Sequence, residues 1–174
     1  DRLGKLDELK THLWTTFEQG LSARALRKYL KLLPDFDDVE AEEMALDRVE
    51  AYPRLAAAIS FLVDWPALDR AARVVLARAD KLDGDGYTTL TRAAEAMDAR
   101  HPLAATLMRR AMVEDTLNDA KSTRYRHAVR HLAECQASDR AITDYGAVLT
   151  HEEFVAALRQ KHGRKYGFWS LVDG

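Results

Sequence analysis

The chain has 174 residues, of which 47% are hydrophobic and 31% charged, and its formal net charge is −2. This size and composition predict a single globular domain spanning residues 1–174. The small net charge argues against a dedicated nucleic-acid binder, and no stretch is apolar enough to predict a membrane span. The single cysteine, Cys135, excludes an internal disulfide, and we expect a cytoplasmic protein. Because the chain begins with Asp1 rather than Met, we also expect it to be a piece of a longer protein.

In the first third of the chain, apolar residues recur with the 3.6-residue period of amphipathic helices. One stripe runs from Leu6 to Phe17, and Ser22 is placed to cap a second helix. Asp37 and Glu40 have the spacing of a capping box that would open a third helix. Three of that helix's apolar residues should then face inwards: Val39, Met44 and Val49.

The acidic stretch 79–86 resembles a calcium-binding loop in composition, but the spacing of its residues does not match that of an EF-hand. An EF-hand needs oxygen ligands at positions 1, 3 and 5, glycine at 6 and glutamate at 12. With Gly86 at position 6, positions 1 and 12 are Lys81 and Arg92; with Gly84 there, position 12 is Leu90. We therefore predict a turn, in which the two glycines allow positive φ and Asp85 caps the next helix.

The second half of the chain predicts further helices, opened by Pro102 and by a capping box from Thr150 to Glu153, with Gly163 ending the last long helix. Two helices in this half share the offsets 0, 3, 7 and 10 and lie 38 residues apart. Their matching residues are Tyr87, Leu90, Ala94 and Met97 in the first, and Tyr125, Ala128, Leu132 and Cys135 in the second. Such a repeat is typical of stacked helical hairpins. We predict an all-α, TPR-like solenoid of about nine or ten helices.

Several segments resemble one family along nearly the whole chain: "LVDWPALDRAA", "DGDGYTTLTRAAEAM", "HPLAATLMRRAM", "RYRHAVRHLAEC" and "HGRKYGFW". They are similar to the C-terminal part of a family of uncharacterised bacterial proteins, found mainly in alphaproteobacteria. More distantly, they look like the helical region that follows the zinc finger in bacterial SWIM proteins. The resemblance implies a longer N-terminal part, and it brings no catalytic residues.

His127, His131 and Cys135 recur at every fourth residue and form the one metal-like spacing in the chain. Two histidines at i and i+4 can chelate zinc from one helix face, but Ala128 stands where a metalloprotease of the H-E-x-x-H type has its general base. The alternative is a pair of surface or inter-repeat histidines on the side of the helix away from its apolar residues. No cofactor is expected.

Basic and aromatic residues are mixed at the end of the chain, and a second basic group lies on the preceding helix. Together they could contact an anion or nucleic acid through phosphates, with Phe168 and Trp169 stacking on bases. The candidate contacts are Arg124, Arg126, Arg130, Arg159, Lys161, Arg164 and Lys165. The alternative is a helix with cations near its C-terminus, followed by a tail whose Phe168 and Trp169 dock on the rest of the fold.

The sequence carries no G-x-S-x-G, P-loop or dinucleotide-binding glycine motif. The prediction is therefore a non-enzymatic scaffold that binds another protein or the expected N-terminal part of the same chain. A nucleic-acid or anion-binding module at the basic end is the alternative, and a metal site at His127 and His131 is the third.

Overall fold

The computed structural model describes residues 1–174, which form ten α-helices and no β-strand, and this confirms the all-α prediction. The helices are α1 (Arg2–Gly20), α2 (Ala23–Lys31), α3 (Asp37–Glu50), α4 (Leu55–Asp64), α5 (Leu68–Ala77), α6 (Tyr87–Met97), α7 (Pro102–Asn118), α8 (Tyr125–Ser138), α9 (His151–His162) and α10 (Tyr166–Asp173). None of them is both long enough and apolar enough to cross a bilayer. The chain divides into two compact units, residues 1–71 and 72–174.

In the first unit, one predicted helix start is confirmed by the structure and another is wrong. Ser22 caps α2 as predicted, because its hydroxyl accepts the backbone N–H of Ala25 at 3.1 Å. The predicted capping box at Asp37 is wrong. Asp37 is already the first helical residue, and Phe36 occupies the cap position with φ at 74° and no side-chain cap bond.

The core of the first unit is built from aromatic and branched side chains. Phe17, Leu26, Val49, Ile59 and Leu62 are fully buried there. The prediction that Val39 and Met44 face inwards is wrong, since they are 63% and 54% exposed. The buried face of α3 is made by Ala45, Leu46 and Val49, and Met44 lies about 100° around the helix from Ala45.

In the second unit, α7 packs against both α6 and α8, and α10 packs against α8. The middle of α7 is buried without a break from Ala104 to Arg110. A helix surrounded in this way must bury whatever polar residues it carries at those positions. The cluster beside it joins α7 and α8 to the last two helices through Phe154, Leu158, Phe168 and Trp169.

The start and end of α9 match the sequence. Its predicted capping box is confirmed, because the Thr150 hydroxyl accepts from the Glu153 backbone N–H and the Glu153 carboxylate accepts from the Thr150 N–H. The helix then ends at Gly163 as predicted.

Candidate functional site: a groove along α7

The acidic stretch 79–86 is a short 3₁₀ helix, Ala79–Lys81, followed by a turn that leads into α6, so the predicted turn is confirmed. The expected positive φ is wrong, because Gly146 is the only glycine with one. Position 84 needs glycine for another reason, because the turn approaches the backbone of α7 closely there. A Cβ at this position would lie 2.0 Å from the Ala111 carbonyl oxygen. The turn therefore rests directly on the backbone of α7.

Asp85 holds this turn in place from the side rather than capping α6, which starts after Gly86 with no side-chain cap bond. Its carboxylate accepts hydrogen bonds from Lys121 at 2.9 Å and Arg124 at 3.1 Å. These two cations, Lys121 above all, lower the pKa of Asp85. Lys121 also bonds Asp115 on α7 at 2.8 Å.

The space beside the turn is a groove of about 550 Å³, within the usual range for ligand sites. Its floor is one face of α7, and its walls are the turn on one side and the segment 147–149 with Phe154 on the other. The lining residues of α7 are Leu107, Arg110, Ala111, Glu114, Asp115 and Asn118. The turn contributes two exposed acids, Asp80 and Asp83.

Arg110 is the residue in this groove that folding alone does not explain. It is only 5% exposed, and its Nη1 donates to the Leu149 carbonyl oxygen at 2.7 Å. The guanidinium carbon lies 4.5 Å from the centre of the Phe154 ring and 5.5 Å from that of Tyr145. Its other two nitrogens, Nε and Nη2, are buried and have no hydrogen-bond partner. A buried donor left in this state destabilises a fold by about 1–3 kcal/mol.

The protonation of Arg110 follows from the same environment. Burial lowers the pKa of its guanidinium, and Cys135, Tyr145 and Glu114 oppose that shift. Because the ordinary pKa of arginine is so high, the group keeps its charge at neutral pH. The groove thus contains a buried cation with two unused donors.

The neighbouring Arg109 is equally buried, at 3% exposed, but it is paired. Its guanidinium contacts Asp98 at 2.5 Å and Glu134 at 3.2 Å. The Glu134 carboxylate in turn accepts a hydrogen bond from His131 Nδ1 at 2.9 Å. The two adjacent arginines therefore differ in their pairing: Arg109 is bound by two carboxylates, whereas Arg110 has donors left for a ligand.

The three residues with metal-like spacing are held in different ways. His127 is exposed, whereas His131 is 2% exposed and lies between helices α6 and α8. Tyr87 bonds its Nε2 at 2.7 Å and Glu134 lies at its Nδ1, so both ring nitrogens are engaged. Burial raises the pKa of the Cys135 thiol to about 12. The structure brings together no group of three or more His, Cys, Asp or Glu side chains that could hold a metal ion.

The predicted basic contacts lie on α8 and around the junction of α9 and α10. Arg124 is bonded to Asp85, and Arg159 is bonded to Asp173 and stacked on the Trp169 ring at 4.1 Å. Phe168 and Trp169 are 0% and 5% exposed, which removes them as platforms for bases. The remaining predicted contacts lie at the surface: Arg126, Arg130, Lys161 and Arg164 are exposed, and Lys165 is half-buried at the start of α10.

Sequence reasoning missed Arg110, although one signal pointed to it. Leu103, Leu107 and Ala111 form the apolar stripe of this helix, and Arg110 stands three residues after Leu107 on the same face. A charge in an apolar stripe predicts a buried charge. Arg109 is paired by Asp98, just after α6, and by Glu134 on α8, and no local sequence pattern predicts these contacts or their absence at Arg110.

The fold is all-α, and polar and apolar side chains together line the groove along α7. Among known proteins, the model of a family of unknown function (DUF6880) matches residues 1–171. The chain belongs to this family. No curated protein and no solved structure matches it. The bacterial origin and the more distant likeness to SWIM proteins stay predictions.

Proposed function

We propose that this protein is a non-enzymatic helical-repeat scaffold, and that the groove along α7 binds an extended segment of another protein that carries Lys or Arg side chains. The observation that carries the proposal is the groove itself, with a volume of about 550 Å³. Exposed acids, Asp80, Asp83 and Glu114, lie along it and complement a basic segment. Apolar side chains between them, such as Leu82 and Leu149, supply contact area for a peptide.

The repeat part of the proposal is supported by the residues that match between α6 and α8. Leu90, Ala94 and Met97 are buried in α6, and the corresponding Ala128, Leu132 and Cys135 are buried in α8. Both helices pack against α7. Equivalent positions of α6 and α8 are thus buried in helices that pack against the same neighbour, as expected of stacked TPR-like hairpins.

A non-enzymatic role is supported by the state of the reactive side chains. The Cys135 thiol is buried and, with its pKa raised to about 12, is not a nucleophile at neutral pH. His131 has both ring nitrogens engaged by neighbours. Fold alone does not fix function, so the proposal rests on the groove.

Site-specific photo-crosslinking in the cells that make the protein tests this proposal. A photoreactive amino acid is introduced at Asn118 or Ala147, two exposed residues that line the groove, and in separate chains at Glu95 or Lys161. The proposal predicts crosslinks to one polypeptide from positions 118 and 147, and none to it from the exposed control position 95. These crosslinks should survive nuclease treatment.

The same experiment reports on the runner-up function, an anion or nucleic-acid module at the basic end. Its support is the exposed cations Arg126, Arg130, Lys161 and Arg164. Crosslinks from position 161 alone, abolished by nuclease or by the double substitution Arg164→Ala and Lys165→Ala, would contradict the scaffold proposal and favour this one.

A further inference from the structure

The unpartnered donors of Arg110 form a recognition element rather than two separate defects. In a guanidinium, Nε and Nη2 lie on one edge and present two parallel N–H groups. This fork matches the two oxygens of a carboxylate. The opposite side of the group is already fixed by Leu149, and the rings of Phe154 and Tyr145 lie within 5.5 Å of it. The side chain is therefore held in place before any ligand arrives.

Charge changes sign along the groove. Arg110 lies towards the N-terminal part of the α7 floor, beside Leu107, whereas Glu114 lies one turn further on. The acids Asp80 and Asp83 belong to the turn. A ligand that fits this arrangement is dipolar, with an anionic group at the Arg110 end and cationic side chains beyond it.

From this arrangement we infer that Arg110 receives the C-terminal carboxylate of the bound polypeptide, and that the groove contacts about the last four residues of its partner. The inference rests on the proposed function. Between Arg110 and Asn118 the floor rises by about 12 Å, which an extended chain covers with about four residues. Glu114 lies about 6 Å beyond Arg110 along α7, so Lys or Arg is expected two to four residues before the partner's last residue.

A chain end fits the Arg110 position better than a carboxylate in mid-chain. On α7 the groove has only Leu107 before Arg110, so the floor does not continue in that direction. Phe154 and the Leu149 backbone also contact the guanidinium there. A segment carrying an internal Asp or Glu would have to run on past this point, whereas a terminal carboxylate ends at it.

Access to the fork requires a local movement, since Nε and Nη2 are buried before binding. The bond from Arg110 Nη1 to the Leu149 carbonyl keeps the other edge of the group in place during that movement.

Two synthetic peptide arrays test the inference with the full chain. Both display randomised six-residue peptides attached through their N-termini, one with free C-terminal carboxylates and the other with amidated ends. We expect the wild-type chain to bind a subset of the free-carboxylate array, enriched in Lys or Arg at the second to fourth residue before the last. Amidation of those peptides should weaken binding about tenfold or more.

Variants separate the fork from simple charge and from folding. Arg110→Lys keeps the cation but has no fork, and it should lose binding about as fully as Arg110→Gln. Arg164→Gln, an exposed residue outside the groove lining, should bind as the wild type does. Asp83→Asn should weaken the preference for Lys or Arg while keeping the requirement for a free carboxylate. Circular-dichroism melting curves establish that each variant is folded.

Equal binding to both arrays would overturn the carboxylate inference and leave the proposed function standing. Binding to amidated peptides only when they contain Asp or Glu would overturn it in favour of a side-chain carboxylate. No binding to either array would also overturn it, and the crosslinks from positions 118 and 147 would then decide separately whether the groove binds protein. Retained binding by Arg110→Lys would contradict the role of the fork.

Discussion

Replacing Arg109 or Arg110 with methionine removes the same charge from the same turn of α7, where the two residues are 3% and 5% exposed. The two substitutions should nevertheless differ in their effect on stability. Arg109→Met breaks contacts to Asp98 and Glu134 and should lower the free energy of unfolding. Arg110→Met also removes two buried donors that have no partner in the folded state, and this removal offsets its losses.

The magnitudes can be worked from the contacts. For Arg110, one bond to the Leu149 carbonyl is lost, about 1.5–3 kcal/mol, together with stacking on two rings, about 0.5–2 kcal/mol. Two unpartnered donors are removed, and each destabilised the fold by about 1–3 kcal/mol. Gains and losses are similar, so we expect a net change within about 1 kcal/mol of zero, or a small stabilisation.

For Arg109, nothing offsets the loss of two charge-assisted contacts, each worth about 1.5–3 kcal/mol when buried. The Asp98 and Glu134 side chains are 50% and 33% exposed, so the lower end of that range applies. We therefore expect Arg109→Met to lower the free energy of unfolding by about 2–3 kcal/mol.

Urea unfolding of the wild type and both variants, analysed by linear extrapolation, resolves a difference of this size. The exposed Arg164→Met is the control and should stay within about 0.5 kcal/mol of the wild type. Equal losses for the two variants, or a larger loss for Arg110→Met, would refute the reasoning, because the donors of Arg110 would then be satisfied in the fold.

Three further predictions concern the scaffold around the groove. Gly84→Ala should destabilise the protein by about 1–3 kcal/mol in urea unfolding, since the added Cβ would meet the α7 backbone. Gly86→Ala is the control and should change stability far less, because the nearest atom to its Cβ would be 3.2 Å away. Equal effects of the two substitutions would contradict this prediction. Burial lowers the pKa of His131 and His162, so below about pH 6.5 the unfolded chain binds more protons than the folded one. Melting temperatures should therefore fall between pH 7.5 and 5.5, and a flat profile would refute the sign. Arg70→Met removes ion pairs to Glu43, Asp47 and Glu50, of which the first two side chains are mostly exposed, and should destabilise the first unit by about 1–2 kcal/mol, less so at high salt. Insensitivity to salt would contradict the electrostatic cause.

The features that were predictable from the sequence are those set by local chemistry. Ser22 and Thr150 cap their helices because a hydroxyl at that position reaches the backbone two or three residues on. The box at Asp37 has the same spacing, but the turn at Phe36 starts the helix one residue too early for it. A cap depends on where the preceding turn delivers the chain, and the spacing alone does not contain that information.

The features that were not predictable depend on contacts between distant residues. Gly84 is a glycine because α7 passes beside it, 27 residues later in the chain. His131 is buried because Tyr87 reaches it from α6. The groove is lined by residues between 79 and 154. Its unusual feature, the unpaired Nε and Nη2 of Arg110, arises because no neighbouring residue supplies a hydrogen-bond acceptor for them.

Amide chemical-shift mapping with the tightest-binding peptide from the free-carboxylate array tests the central claim, that the groove along α7 is the binding site, most directly. We predict that the largest shifts fall in three stretches: 79–84, 107–118 and 147–149. Side-chain signals of Arg110 should move with them, and all of these shifts should saturate together as peptide is added. Shifts concentrated at residues 159–165, with the groove unchanged, would contradict the account and move the site to the basic end of the chain.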